Sequence, residues 1–111
     1  MSAREQQAEA PALDAVEVTT FRLNRCTLAE FIEANAEVDD WLRRQPGFRS
    51  RRIAERDDGE IVDVLVWDSV AAGEDGASRL MRELAHAAVH SMIDQTSVSW
   101  AVLPVRRIAI A

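Results

Sequence analysis

The chain has 111 residues, of which 48% are hydrophobic and 29% are charged, and its net charge is −6. That balance is typical of one globular domain and argues against a disordered acidic tail or a membrane protein. The acidity also argues against a surface for nucleic acid or anionic membranes, because phosphate binding depends on clustered cations. All 13 basic residues are arginine, which indicates a GC-rich bacterial genome, and tyrosine is absent.

The single cysteine, Cys26, excludes an internal disulfide framework and a metal site built from cysteines alone. No apolar run approaches the roughly 20 residues of a membrane span, and the first residues lack the apolar centre of a secretion signal. We therefore expect a cytoplasmic protein. Residues 1–14, rich in alanine, glutamate and glutamine, predict a flexible N-terminal tail, and residues 15–111 predict the folded domain.

The first half of the domain predicts a strand followed by a helix. β-Branched residues that partly alternate predict the strand over 16–24. Thr27 and Glu30 form a capping box, which predicts that a helix of about five turns begins there. Pro46 ends this helix, because proline disfavours helical geometry at the residue before it. The apolar stripe at helical spacing consists of Leu28, Phe31, Ile32, Val38 and Leu42.

The second half predicts a hairpin. Strands are expected over 48–56 and 61–67, and the turn between them, 57–60, carries an Asp-Gly pair. A last strand is expected over 98–105.

A second helix is expected before that last strand. Ser69 can cap the segment, but Gly73 and Gly76 interrupt its start, so we expect a firm helix from Ala77 to Ile93. The resulting order, β-α-β-β-α-β, predicts an α+β fold of the ferredoxin-like type. In that fold an antiparallel four-stranded sheet carries both helices on one face.

The third predicted strand is apolar on both faces, since Ile61, Leu65 and Trp67 alternate with Val62, Val64 and Val66. Two helices cover one face of the sheet, which leaves a row of valines on the other. Soluble monomers usually avoid such a patch, so we expect a homodimer in which a second copy covers it. A monomer whose second face is covered by the tail is the alternative.

A candidate site lies on the helix-facing side of the predicted hairpin. If the hairpin closes with Arg56 opposite Ile61, Arg52 is a diagonal neighbour of Asp63, and Trp67 shares their face. An aspartate in the middle of a strand is unusual, because burying a charge is costly unless it is paired. Asp63 is therefore either half of a structural ion pair, a residue at a solvated edge, or a desolvated candidate general base.

Two further sets of candidates lie on the predicted helices. Asn35 interrupts the first apolar stripe, so its amide either lines a pocket between helix and sheet or bonds to backbone. His86, His90 and Asp94 are four residues apart, which places them on one side of the second helix, as in some metal sites. At about 100° per residue both histidines fall almost opposite the apolar face, which favours a solvated surface over a haem or metal site.

Other motifs are missing or ordinary. Trp41 and Trp100 are most simply core or interface aromatics. The sequence contains no Gly-rich phosphate loop, nucleophile elbow or Cys/His nucleophile pair. We therefore expect no nucleotide cofactor.

Three segments resemble the antibiotic biosynthesis monooxygenase (ABM) group of the dimeric α/β-barrel superfamily: VTTFRL (18–23), QPGF (45–48) and VLVWDS (64–69). The similarity covers nearly everything after the tail. It implies two ferredoxin-like subunits whose sheets pack into a homodimeric α/β barrel, with a pocket between sheet and helices in each subunit. Some members oxidise aromatic polyketides with O₂ and no metal or flavin, and others bind and degrade haem.

The resemblance also implies roles for particular positions. In the polyketide-oxidising members a third-strand tryptophan and an asparagine four residues earlier border the pocket; Trp67 matches the former, and Asp63 stands in place of the latter. Those members also use tyrosine, which this chain lacks. In haem-degrading members a histidine of the second helix binds iron, and His86 lies at a compatible distance after Trp67. Their strand-one asparagine has no match, since Asn24 stands at the strand end.

Three hypotheses follow. The first is a small cofactor-independent monooxygenase for an aromatic or enolic molecule, in which Asp63 takes a substrate proton and Trp67 shapes the pocket. Arg52 or Asn35 would hold the developing oxyanion. The second is a non-catalytic dimeric module for small-ligand binding or protein interaction. The third is a haem-binding or haem-degrading protein that uses His86 or His90, with haem as its cofactor.

Overall fold

A computed structural model describes residues 13–111. Most of the predicted tail, residues 1–12, lies outside the described residues. None of the helices within 13–111 is both long and apolar enough to cross a membrane. The elements in chain order are β1 (Ala15–Leu23), α1 (Leu28–Ala34), α2 (Ala36–Arg43), β2 (Phe48–Glu55), β3 (Ile61–Trp67), α3 (Val70–Glu83), a 3-10 helix (Ala88–Met92) and β4 (Ile93–Pro104).

The four strands form one antiparallel sheet in the order β2-β3-β1-β4. The helices pack against one face of this sheet, where a single hydrophobic core joins both layers. This arrangement confirms the predicted ferredoxin-like fold. The largest fully buried side chains are Trp67, Phe21, Phe31, Leu42 and Ile61.

The first helix begins at the predicted capping box. Thr27 Oγ1 accepts from the backbone N–H of Glu30 at 3.1 Å, and Glu30 Oε1 accepts from the backbone N–H of Thr27 at 2.9 Å. The backbone hydrogen bond from Thr27 lowers the pKa of Glu30 below its ordinary value. The predicted single helix is divided into α1 and α2 at Asn35, whose side-chain amide donates to the carbonyl of Phe31 at 2.8 Å.

The prediction for the second helix was wrong at its start. α3 begins at Val70, not Ala77, and Ser69 caps it as expected by accepting from Ala72 N–H at 3.0 Å. Gly73 and Gly76 do not interrupt the helix but are buried within it. They lie against the indole of Trp67, and a Cβ on Gly76 would come within 2.9 Å of Trp67 Cζ2. The absence of side chains therefore lets α3 approach the sheet closely.

The prediction was also wrong at the end of this helix. α3 stops at Glu83, not Ile93, and Ala87 has an extended backbone with φ −62° and ψ 142°. The ring of His90 donates Nε2–H to the carbonyl of Leu84 at 2.8 Å, which satisfies a backbone acceptor just after the helix. The apolar spacing beyond residue 83 thus belongs to a turn and a 3-10 helix, and β4 starts earlier than expected.

The β2–β3 hairpin differs by one residue from the predicted register. Glu55, not Arg56, lies opposite Ile61. Arg56 pairs instead with Glu60, donating its N–H to that carbonyl at 2.8 Å. The loop has three residues and ends on Gly59 at φ 88°, a conformation that glycine adopts without steric cost.

This shift changes which arginine reaches Asp63. Moving a strand by one residue sends each of its side chains to the opposite face. Ile53 is opposite Asp63, and Arg52 is opposite Val64, so Arg52 lies on the outer face of the sheet. The expectation that Arg52 and Asp63 share a face was therefore wrong, and Arg51 occupies the inner face instead.

The two faces of β3 have the predicted difference in burial. Ile61 and Trp67 are fully buried on the inner face, whereas Val62, Val64 and Val66 are half-buried on the outer face. The valines pair across the sheet with β1, where Val18 lies opposite Val64. The outer face therefore carries a continuous apolar row.

Because α3 contacts Trp67 closely, we expect a Gly→Ala substitution in this helix to lower the stability of the protein rather than raise it. In an open helix, Gly→Ala stabilises by roughly 0.5–1 kcal/mol. For Gly76→Ala we expect destabilisation by about 1–3 kcal/mol, because the added methyl overlaps the buried indole. Urea unfolding measures the difference, with exposed Asp75→Ala as the matched helix control. A Gly76→Ala protein as stable as the parent would contradict the close packing.

Candidate functional site

A cavity of about 560 Å³ lies between the inner face of the sheet and the helices. This volume falls within the range of small-molecule sites. Its walls are largely apolar, with side chains such as Phe21, Phe31, Val38, Leu42 and Leu65. The polar side chains in its lining include Glu17, Asn35, Arg51, Asp63 and His90.

Arg51 and Asp63 form a bidentate ion pair in the wall of this cavity. Arg51 Nε lies 3.0 Å from Asp63 Oδ1, and Nη2 lies 2.7 Å from Oδ2. The remaining nitrogen, Nη1, donates to Asp39 of α2 at 2.9 Å. The side chains of Arg51 and Asp63 are only 11% and 10% exposed. One guanidinium thus ties β2, β3 and α2 together.

Burial of Arg51 on its own would lower its pKa, but the hydrogen bonds and charges of Asp63 and Asp39 outweigh that effect. The pKa of Arg51 is raised above its ordinary value, so the guanidinium is charged at every working pH. Of the alternatives for Asp63, the structure has the cross-strand ion pair. Its partner is Arg51, however, and the predicted partner Arg52 bonds to Ser50 Oγ at 3.2 Å.

A second buried acid, Glu17 of β1, was not predicted as a site residue. It is 7% exposed and lines the cavity. Its Oε1 accepts from Trp67 Nε1 at 2.9 Å, and its Oε2 accepts from Trp100 Nε1 at 2.7 Å. The signal was present in the sequence, because Glu17 lies between two valines as Asp63 does.

Trp67 and Asn35 differ in how they relate to the cavity. Trp67 is fully buried behind Glu17, packs edge-on against Phe48 with ring centroids 5.5 Å apart, and is not among the lining side chains. The expectation that Trp67 lines the pocket directly was therefore wrong. Asn35 is 2% exposed, lines the cavity and also bonds to the Phe31 carbonyl, so both of its predicted alternatives occur together.

The two histidines do not share a helix face. His86 is exposed in the turn after α3, whereas His90 belongs to the 3-10 helix and lines the cavity. A carbonyl oxygen only accepts, so the hydrogen bond to Leu84 O requires His90 Nε2 to carry a proton. Nε2 is then not free to bind iron. Within residues 13–111 no group of three or more His, Cys, Asp or Glu is arranged to hold a metal ion.

No protein-family model matches the chain, and no curated protein matches it. Solved structures do. SnoaB, a cofactor-independent oxygenase from Streptomyces nogalater, matches with a TM-score of 0.69 at 19% identity, covering 87% of this chain and 97% of that one. The monooxygenase from the gene ActVA-Orf6 of Streptomyces coelicolor, solved with the ligand nanaomycin D, matches with a TM-score of 0.68 at 25% identity, covering 89% and 93%.

A conserved protein from Methanosarcina mazei Go1 shares the fold at only 7% identity, with a TM-score of 0.66 and coverage of 83% and 92%. The chain therefore has the fold of these monooxygenases. The similarity to ABM-like structures confirms the resemblance drawn from the sequence segments.

The geometry of the ion pair predicts that two adjacent arginines differ sharply in their contribution to stability. Replacing Arg51 by methionine leaves Asp63 buried without its cation, so we expect a loss of about 3–5 kcal/mol. Arg52→Met, on the exposed outer side, should change stability by no more than about 0.5 kcal/mol. Urea unfolding of both variants measures the contrast. Equal losses of stability in the two variants would show that Arg51 is not the stabilising partner of Asp63.

Proposed function

We propose that the chain is a small monooxygenase that works without a cofactor on an aromatic or enolic compound. The observation that carries the proposal is the cavity of about 560 Å³ with apolar walls and a few fixed polar groups. The fold supports it, because SnoaB is described as a cofactor-independent oxygenase and the ActVA-Orf6 protein is a monooxygenase solved with the ligand nanaomycin D.

The chemistry of such substrates explains how the reaction proceeds without a cofactor. Loss of a proton from an anthrone-like compound gives an electron-rich carbanion that reduces O₂ itself. One oxygen atom replaces the two hydrogens of the methylene carbon as a carbonyl, and the other leaves as water with those hydrogens. The protein then has to bind the substrate, remove the proton and stabilise the negative charge.

The structure changes the roles expected from the sequence. Both oxygens of Asp63 accept from Arg51, so we assign Asp63 to a rigid polar wall that orients the substrate. Arg52 lies on the outer face and has no part in the cavity. Asn35 uses one of its two amide hydrogens on the Phe31 carbonyl, which leaves the other for a substrate oxygen that gains negative charge.

One observation favours the alternative of a non-catalytic ligand-binding module. All three guanidinium nitrogens of Arg51 and both carboxylate oxygens of Asp63 are already hydrogen-bonded within the protein. Because Asp63 is the buried counter-ion of Arg51, the pair orients a ligand well but is poorly suited to exchange protons. Ligand binding without oxygen consumption would identify this second function.

Oxygen uptake tests the proposed function directly. With anthrone or a ring-substituted anthrone as substrate, uptake should exceed the rate in buffer by at least about tenfold. Asn35→Ala should lower kcat by about 10–100-fold if its amide stabilises the oxyanion. Glu33→Ala, on the exposed side of α1, is the matched control and should retain the parental rate. Binding of these compounds without uptake would replace the monooxygenase by the binding module.

We also propose that the protein is a homodimer joined through the outer face of its sheet. The half-buried row of Val62, Val64 and Val66 supports this, because a second copy would remove these side chains from water. The barrel expected from the family resemblance would form in the same way.

Light scattering during gel filtration measures the oligomeric state. We expect twice the mass of one chain, and a shift to the single-chain mass in Val64→Asp, since two buried carboxylates would face each other across the interface. Ala71→Asp adds the same charge on the exposed surface of α3 and should remain dimeric. A parent protein that elutes as a monomer would overturn the proposal.

A further inference from the structure

Glu17 is a buried carboxylate without a cationic partner. The ion pairs found among residues 13–111 do not include it, and the nearby guanidinium of Arg51 is shared between Asp63 and Asp39. Burying a carboxylate in this way is costly unless hydrogen bonds compensate. At Glu17 the compensation comes from two indole N–H groups, at 2.9 Å and 2.7 Å.

The two indoles do not use all of the hydrogen-bond acceptor sites of the Glu17 carboxylate. An ionised carboxylate has about four acceptor sites, and each oxygen of Glu17 uses one of them on an indole. An indole N–H only donates, so neither tryptophan can take a proton from Glu17 or pass one on. Because Glu17 also lines the cavity, its remaining acceptor capacity is open to a ligand there.

The charge of the cavity lining points to the form of ligand that it accepts. Glu17, Asp63 and Glu74 line the cavity, whereas Arg51 is the one arginine among the lining residues within 13–111. The positive charge of Arg51 is already offset by two carboxylates. The formal charge of the lining side chains, His90 apart, is therefore negative, which disfavours an anionic ligand and favours an uncharged hydrogen-bond donor.

We propose that Glu17 is the catalytic proton acceptor of the cavity, and that the substrate enters as an uncharged bicyclic or tricyclic phenol or enol whose hydrogen points at this carboxylate. The inference rests on the proposed function and deepens it, because it names the base and the form of substrate that binds. It transfers to Glu17 the role that the sequence suggested for Asp63.

Glu17 can transfer both substrate protons in this reaction without a second base. Glu17 takes the first proton from the substrate, and the resulting carbanion adds O₂ to form a carbon–oxygen bond and a peroxide anion. Glu17 returns its proton to that peroxide. It then takes the C–H proton from the carbon that carries the hydroperoxide while the O–O bond breaks, and the hydroxide that leaves recovers this proton as water. Dioxygen is the oxidant, and the substrate supplies all four electrons that reduce it to one carbonyl oxygen and one water.

The two tryptophans act as positioning residues in this scheme. Trp67 cannot shift easily, since it is fully buried and covered by Gly73 and Gly76 of α3. Trp100 is 48% exposed, and its N–H donates to the second oxygen of Glu17. Together they hold the carboxylate in one orientation towards the cavity without supplying a competing charge.

A coloured probe tests Glu17 without any need for turnover. Alizarin is a tricyclic phenol whose visible absorption changes when its first hydroxyl ionises. When it is bound to the parent protein, this hydroxyl should ionise at a higher pH than in water, because Glu17 stabilises the protonated form. In Glu17→Gln the shift should shrink by about one pH unit, a tenfold change in preference. Glu37→Gln, an exposed acid of α2, should leave the shift unchanged.

A comparison on the ligand side covers the case in which Glu17→Gln does not fold. The dimethyl ether of alizarin has no hydrogen to donate, so it should bind the parent protein at least about tenfold more weakly than alizarin. Equal affinities for the phenol and its ether would overturn the inference, as would an unchanged ionisation shift in a folded Glu17→Gln protein.

Measurements of oxygen uptake distinguish a failure of Glu17 as the base from a failure of the proposed monooxygenase activity. Glu17→Gln should lower kcat by about 100-fold or more. Trp100→Phe should lower kcat less than Glu17→Gln does and leave KM unchanged, whereas a loss of packing would raise KM as well. If the parent binds alizarin as expected but consumes no oxygen, the monooxygenase is lost and Glu17 remains the recognition group. If Glu17→Gln retains full uptake, Glu17 is not the base.

Discussion

The packing of Trp67 beneath α3 joins the fold of this protein to its cavity. The indole is fully buried, and two glycines of the helix lie against its ring where other residues would collide with it. This close approach fixes the ring so that its single N–H points at Glu17 at 2.9 Å. A helix held further from the sheet would leave the indole freer to move and the carboxylate without a fixed donor. The orientation of an inward-facing acid thus depends on two positions that have no side chain.

The two buried carboxylates on the inner face of the sheet are stabilised by different kinds of partner. Asp63 is neutralised by a bidentate arginine, which stiffens the contact between β2, β3 and α2. Glu17 is satisfied by neutral donors, which compensate for lost hydration but leave the charge in place. The first arrangement suits a structural wall. The second suits proton transfer, because the carboxylate has no permanent counter-ion with which a substrate hydrogen must compete.

Much of the fold could be predicted from local patterns. The bounds of β3, the capping box at Thr27 and the order of strands and helices follow from alternation, capping chemistry and helical spacing, which act over a few residues. α3 could not be predicted as well, because Gly73 and Gly76 are poor helix formers in isolation and are favoured here only by their contact with Trp67. The end of α3 likewise depends on a hydrogen bond from His90, six residues beyond the carbonyl that it caps.

In the candidate site, too, some features follow from the local sequence and others depend on long-range contacts. Local sequence patterns placed an acid among valines in the middle of β3 and predicted the ferredoxin-like fold, but they left open whether Asp63 is ion-paired, solvated or a general base. The identity of the cation beside Asp63 follows from the register of the hairpin, since a three-residue loop in place of a longer one turns Arg52 outwards and Arg51 inwards. The place of Glu17 in the site also depends on the tertiary structure, because both indoles that bond to it come from strands that are adjacent in the sheet but 50 and 83 residues away in the sequence. Local sequence sets the face and the charge of a residue, but register and long-range packing choose its partners.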